Sequence, residues 1–167
     1  MAFSDDICTS VQNKKMFDLA KKQGEVLFIE VASNSIYKPL DIAQAFGDDD
    51  KKRHFDIKML EYDECLGTYA WHYVDVKDVE EKNFSTGNYV LRMPFIEFHT
   101  ELKPYGYYIA FRLVENGKRS SKFLVANTQD VIERCNIIYK KEYALVPLSE
   151  VKEKCKCRLF KEEAFDE

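Results

Sequence analysis

The apolar positions of this chain fall into short runs, most with the two-residue alternation of strands and a few with helical spacing. Behind Ser10, the stretch Val11 to Lys22 places Met16, Phe17, Leu19 and Ala20 on a short apolar stripe, and Gly24 is positioned to end that helix. Glu25 to Ala32 (EVLFIEVA), rich in β-branched residues and bounded by Gly24 and Ser33-Asn34-Ser35, predicts a strand. Pro39 makes Ile36 to Leu40 extended or turned. Leu40 to Phe46 suits a helical turn or a strand ending at Gly47. Phe55 to Met59 alternates as a half-buried strand. Tyr69 to Val76 does the same, with Tyr69, Trp71 and Tyr73 on one face and Ala70, His72 and Val74 on the other. Asn88 to Phe98 is apolar, and Pro94 in its middle demands an edge, a bulge or a break.

The strongest strand is Tyr105 to Val114. Asn116-Gly117 is a tight-turn dipeptide, and Lys122 to Ala126 returns, so Tyr105 to Ala126 predicts a β-hairpin. Thr128 is placed to cap a short helix over Gln129 to Arg134. From Asn136 to Cys157 two apolar runs, Ile137-Ile138-Tyr139 and Ala144-Leu145-Val146, precede Pro147, and the stretch reads as a strand, a turn, a one-turn helix from Ser149 and a closing strand that carries Lys154-Cys155-Lys156-Cys157. The expected fold class is mainly β, a β-rich α+β arrangement: a curled sheet or partly closed barrel of about six to eight strands with two or three short helices. The expected organisation is an arm and short helix over 1–23, one β-rich domain over 24–160 and an acidic tail over 161–167.

Composition sharpens this only in part. Ten Tyr and 12 Phe stock a dense core, so the chain folds without needing disulfides or metal. A net charge of −4 weighs against general nucleic-acid binding and makes nucleic acid an unlikely main partner. The odd cysteine count (Cys8, Cys65, Cys135, Cys155, Cys157) and an N-terminus without a signal-peptide pattern point to free thiols in a reducing compartment. No apolar run reaches membrane-span length.

Candidate chemistry is sparse. The run Gly47 to Arg53 reads as a solvated hairpin tip, since its acids lack the alternate spacing and closing Glu of a calcium loop. Cys155 and Cys157 lack a second ligand pair for zinc, and Cys65 and Cys135 stand alone. There is no Gly-x-Ser-x-Gly elbow, no glycine-rich phosphate loop, and no carboxylate set apart by its surroundings. The aromatic positions remain. Trp71, Tyr69 and Tyr73, with Tyr62 and Tyr37, are the candidate ligand-binding residues, either as a cage for a methylated ammonium group or as the core face of a strand. Neither a cofactor nor a metal is expected.

The C-terminal segment resembles that of bromo-adjacent homology domains. It carries an apolar strand (Ile137-Ile138-Tyr139), then Val146-Pro147-Leu148-Ser149, Val151 and Lys154-Cys155. Gly24-Glu25-Val26 is similar to that family's first strand and Tyr37 to Gln44 to its second. Where the family commonly has Trp-Phe-Tyr-Arg-Pro, this chain has Met59-Leu60-Glu61-Tyr62-Asp63. The resemblance implies a non-enzymatic recognition module of chromatin type. Its partner would be a histone tail, a nucleosome surface or a chromatin protein, and its location the nucleus, with the cytoplasm as the alternative. Two other readings stay open: a protein–protein scaffold without a cage, and a β-barrel enzyme or small-ligand binder using a Cys or His.

Overall fold

The computed structural model describes residues 23–45 and 54–163. The helix expected over Val11 to Lys22, the charged tip from Gly47 to Arg53 and the last four residues of the tail lie outside them.

Residues 23–33 form a helix, α1, where a strand was expected. Gly24 sits inside it rather than ending it. The buried side chains show why: Glu25, Phe28, Val31 and Ala32 recur at helical spacing, whereas Val26 is exposed. The β-branched content of the segment is overridden by what that face can bury. The strands are β1 (Asp41–Gln44), β2 (Ile57–Asp63), β3 (Thr68–Lys77), β4 (Asn88–Arg92), β5 (Tyr107–Glu115), β6 (Lys118–Asn127), β7 (Ile138–Tyr139), β8 (Tyr143–Pro147) and β9 (Cys157–Phe160). Three further helices follow: α2 (Met93–Leu102), α3 (Thr128–Arg134) and α4 (Leu148–Lys154). Between the helical turn and the strand expected for Leu40 to Phe46, the described part of this stretch takes the strand, β1. Pro94 acts as a break, but by opening a helix: it stands in the first turn of α2, where a missing N–H costs nothing. Asn127, rather than Thr128, caps α3, its side chain accepting from the Asp130 N–H at 3.2 Å.

Six strands make one open mixed sheet in the order β1-β2-β3-β5-β6-β9. All neighbours are antiparallel except β3 and β5, which run parallel. The crossover between them carries β4 and α2. The second sheet, β4-β8-β7, is antiparallel and separate. The fold is therefore β-rich α+β, and the curled sheet or partly closed barrel is corrected: β1 and β9 remain edges, because the crossover leaves the main sheet instead of extending it.

The main sheet is buried on both faces. On one, α1 packs Phe28, Val31 and Ala32 against Ile57, Met59, Val74, Val76, Ala110, Phe123, Val125 and Phe160. On the other, Ile109, Phe111, Leu124 and Ala126 meet α2, α3, α4 and the small sheet through Phe95, Ile96, Val131, Val151, Tyr89, Leu91 and Val146. Alternation along β5 and β6 divides their residues between the two clusters. Each fully buried large apolar side chain contributes about 1.5–3 kcal/mol. The β5–β6 turn is the expected one: Asn116 and Gly117 both take positive φ, 54° and 72°, the geometry that matches strand twist in a tight hairpin.

Candidate active site

One end of the main sheet gathers polar groups from four elements. Ala45 N–H, just past β1, donates to the Asp56 carbonyl at 2.7 Å, and Asp56 N–H donates to the Val74 carbonyl at 2.9 Å. Asp56 thus stands one step before the Ile57↔Val74 pair, opposite Asp75. Its Oδ2 accepts the Val76 N–H at 2.8 Å, which fixes the carboxylate beside β3. Asp75 and Lys77 alternate along β3 and share the face toward α2. They pair with Ile109 and Phe111, and Lys77 Nζ lies 5.2 Å from the centre of the Phe95 ring. Lys77 Nζ is 2.9 Å from Asp75 Oδ2. The contact joins opposite charges but lacks hydrogen-bond geometry, so Asp75 Oδ2 is buried without a formed hydrogen bond. From α1, buried Glu25 reaches the same end and accepts from Gln44 Nε2 at 2.6 Å.

Beside this group lies a cleft of about 680 Å³. Its lining comes from Gln23 and Gly24 of α1, Val76 and Lys77 of β3, Asp78 to Glu81 and Asn83 beyond it, Asn88, Val90 and Arg92 of β4, and Arg112 and Arg119 of the β5–β6 hairpin; Lys77 is the member of the polar group that reaches it.

At the opposite end of the β2–β3 hairpin a second polar group is built differently. His72 Nδ1 lies 3.0 Å from Glu61 Oε1, and its Nε2 lies 2.8 Å from Asp63 Oδ2. Arg158 of β9 grips Glu61 with two nitrogens at 2.7 and 3.2 Å. The Tyr105 hydroxyl donates to Asp63, as does the Leu66 N–H. Gly106, at a φ of 80°, carries the chain past His72: a Cβ there would sit 3.4 Å from the imidazole and 3.5 Å from the Trp71 carbonyl. Burial works against the charged imidazolium. The hydrogen bonds and charges of Glu61 and Asp63 outweigh it and hold His72 above its ordinary value. Burial likewise pushes Asp63 up, but the hydrogen bonds from Tyr105, His72 and Leu66 win and bring it to about 2. Every reactive atom here already has a partner. This network is a pin between strands, not a base waiting for a proton.

The five sequence-predicted binding residues do not converge. Tyr62 and Tyr69 pair across the hairpin, edge to face at 5.7 Å, and both are exposed. Trp71 lies on the same outer face with Lys58 Nζ 4.6 Å from its ring. Tyr73 is wedged against Phe55 and Tyr107. Tyr37 is stacked on Phe160 across the sheet, on the α1 side. Cys135 is not isolated: its sulfur lies 3.8 Å from that of Cys155 in the core. Among the described residues no group of three or more His, Cys, Asp or Glu is placed to hold a metal. Asp56, Asp75 and Lys77 were missed in the sequence. The available signal was Asp75-Val76-Lys77 at the end of a strand already read, which sets an acid and a base on one face.

No protein-family model matches the chain, and no curated protein does either. A solved structure to which it is similar is described as "Structure of D212, a nuclease from a fusselovirus", with 11% identity over 85% of this chain and 88% of that one and a TM-score of 0.43. The structural likeness found is thus to a viral nuclease, not to a bromo-adjacent homology domain. The chain's own topology also departs from that family's expected course, with α1 in place of the first strand and two open sheets. The resemblance is corrected accordingly, and with it go the non-enzymatic reading and the chromatin- and histone-binding role that rested on it. The C-terminal pattern misled because Val146-Pro147-Leu148-Ser149 records only a strand meeting a helix, a junction many folds share.

Proposed function

We propose that the chain is a nuclease-like enzyme that hydrolyses phosphodiester bonds with the help of a divalent cation. The observation that carries this is the placing of Asp56, Asp75 and Lys77 at one sheet end beside an open cleft. A hard divalent cation of the magnesium type binds through one or two carboxylates and completes its shell with water and substrate phosphate oxygens. Asp56 and Asp75 fit that need; Asp75 Oδ2 is buried and held by the charge of Lys77 rather than by a formed hydrogen bond, a contact that a cation would replace. Such an ion, when bound, polarises the phosphoryl oxygens and makes water a better nucleophile.

The chain's own residues supply the rest. Val76 N–H holds Asp56 in place, so its carboxylate needs little ordering when substrate arrives. Lys77 Nζ lies over the Phe95 ring and beside Asp75 Oδ2, and Lys77 is also one of the residues that line the cleft. There it stabilises the negative charge that gathers on the phosphoryl oxygens as water adds to phosphorus and the bond to the leaving oxygen breaks. The proton lost by the water passes to a basic group or solvent, and the leaving oxygen gains one. The net charge of −4 does not oppose this reading, because affinity for phosphate depends on the cations facing it: the cleft presents Lys77, Arg92, Arg112 and Arg119.

The test is cleavage of labelled single- and double-stranded DNA and RNA with magnesium or manganese. Wild type should cut at least one of these, and chelator should stop it. Asp75→Asn and Lys77→Ala should each lower the rate by about 10²–10³-fold; because each also breaks the Asp75–Lys77 ion pair, the rates are compared at a temperature where circular dichroism shows both variants folded. Asp56→Asn is a poorer probe, since it also disturbs a backbone hydrogen bond of β3. Equal cutting by the variants, or no cutting by wild type with either metal, would refute the proposal.

A further inference from the structure

We infer that the cleft beside Lys77 seats a single-stranded segment of nucleic acid and that Arg92 is its phosphate contact. The inference rests on the nuclease reading for the chemistry at Lys77, but its own content is a substrate form and a specificity-determining residue.

The cleft has the volume of a small-ligand pocket, within the range of about 300–1,000 Å³. That space takes one or two nucleotides and not a duplex, whose phosphates lie on the outside of a wide double helix. Lys77 is on the lining, so a strand seated in the cleft brings a phosphate to it. An unpaired strand can do so; a paired one must first open.

The charges along the path differ in how committed they are. Asp78 is held by two arginines, with Arg112 Nη1 at 3.2 Å and Arg119 Nε at 2.9 Å. Arg119 Nη2 also donates to the Val79 carbonyl at 2.7 Å, and Arg112 Nε to the Ser120 carbonyl at 2.9 Å. These guanidiniums are locked in place, and two of them around one carboxylate leave a net positive charge at the closed end. Glu80 faces Lys82 at 3.2 Å, and Glu81 is the remaining acid on the lining. Arg92 is different. It is exposed at the end of β4, on the wall of the cleft, and no ion pair holds it among the described residues. A planar, always-charged fork with free donors suits a phosphate diester. The side-chain amides of Gln23, Asn83 and Asn88 line the same space and offer both donors and acceptors to base edges.

Binding can be separated from cutting. The Asp75→Asn chain, with calcium in place of magnesium, is titrated against a fluorescein-labelled oligothymidylate of about 10 nucleotides and a hairpin duplex, and anisotropy is read over a series of salt concentrations. The single strand should bind more tightly than the duplex. Arg92→Ala in that background should weaken binding about tenfold and reduce the slope of log affinity against log salt by about 0.7, the loss of one phosphate contact. Arg92→Lys, which keeps the charge, should retain the slope and recover part of the affinity. Tighter duplex binding, no binding of the single strand, or an Arg92→Ala chain with unchanged affinity and slope would each overturn the inference. Arg92-dependent binding by a wild type that cuts nothing would leave this inference standing and remove the nuclease reading. Cutting by wild type with Arg92 irrelevant to binding would do the reverse.

Discussion

Replacing His72 with Phe tests the pin at the far end of the β2–β3 hairpin. The ring volume is kept, and the packing against Tyr108 at 5.1 Å with it. What is lost is the cation between two buried carboxylates and both hydrogen bonds, at 3.0 and 2.8 Å. Removing one partner of a buried ion pair costs about 3–5 kcal/mol, because the other charge is stranded. Here neither carboxylate is wholly stranded. Glu61 keeps the two-pronged contact with Arg158, and Asp63 keeps the Tyr105 hydroxyl and the Leu66 N–H. The expected cost is therefore at the lower end, about 3 kcal/mol. At this chain length each kcal/mol moves the melting temperature by about 2–4 °C, so the loss should be roughly 6–12 °C.

The pH dependence gives a second reading. His72 has a folded value above 6.5, so its contribution is complete below 6.5 and fades as pH rises through the folded value. Asp63 and Glu61 are lowered in the fold, so theirs is complete above the ordinary carboxylate range and fades as pH falls, for Asp63 toward about 2. The gap between wild type and His72→Phe should be widest between the ordinary carboxylate values and the raised value of His72, and should narrow on the alkaline side. Thermal unfolding followed by circular dichroism across that range measures it. A gap under about 2 °C near pH 6, or one that stays constant into the alkaline range, would refute the reasoning.

Two further outcomes follow from the packing. His99 on α2 is buried among Phe95, Phe98 and Tyr107, neither ring nitrogen has a hydrogen-bond partner among the described residues, and burial pushes it down to about 4; His99→Phe should therefore raise stability by about 1–3 kcal/mol in urea unfolding, and a fall would show that the nitrogens are in use. Cys65 is exposed on the hairpin turn, whereas burial pushes the Cys135 thiol up to about 12 and raises Cys155 and Cys157 as well; in a Cys8→Ser background one fast phase of reaction with a disulfide reagent should vanish on Cys65→Ser, and its persistence would place the reactive thiol elsewhere.

Much of the fold was legible because it rests on local signals. The β5–β6 hairpin was readable from Asn116-Gly117 between alternating runs, and the strand, helix, strand order of the closing segment from the apolar runs around Pro147, although its first strand is in fact two, β7 and β8. The errors came where one segment admits two periods. Glu25 to Ala32 alternates poorly and recurs well at three and four, yet its β-branched residues favoured the strand reading. Asn88 to Phe98 reads as one apolar run in which Pro94 demands an edge, a bulge or a break, although proline also opens helices, as it does here from Met93. The candidate active site was hidden for another reason. Asp56 and Asp75 are 19 positions apart, and only the antiparallel β2–β3 register places them opposite each other. No motif of fixed spacing records a register. The aromatics Tyr69, Trp71 and Tyr73 attracted notice instead, because conspicuous side chains are easier to see in a sequence than ordinary ones brought together.

The two polar ends of the β2–β3 hairpin explain each other. At one, Asp75 is buried with an oxygen that Lys77 pairs with at 2.9 Å but that no formed hydrogen bond engages. Such a group costs stability unless a ligand completes it. At the other, only about 10 Å along β3, His72, Glu61, Asp63, Tyr105 and Arg158 satisfy one another and tie β2 and β3 to β9 and to the turn before β5. A hairpin held only by its apolar face could slip by two residues without turning a side chain to the wrong side. That slip would separate Asp56 from Asp75 while leaving the core intact. The His72 network forbids it, because a shift of two positions would break both of its carboxylate contacts at once. The pin thus protects the register that sets Asp56 opposite Asp75, on which the proposed chemistry depends.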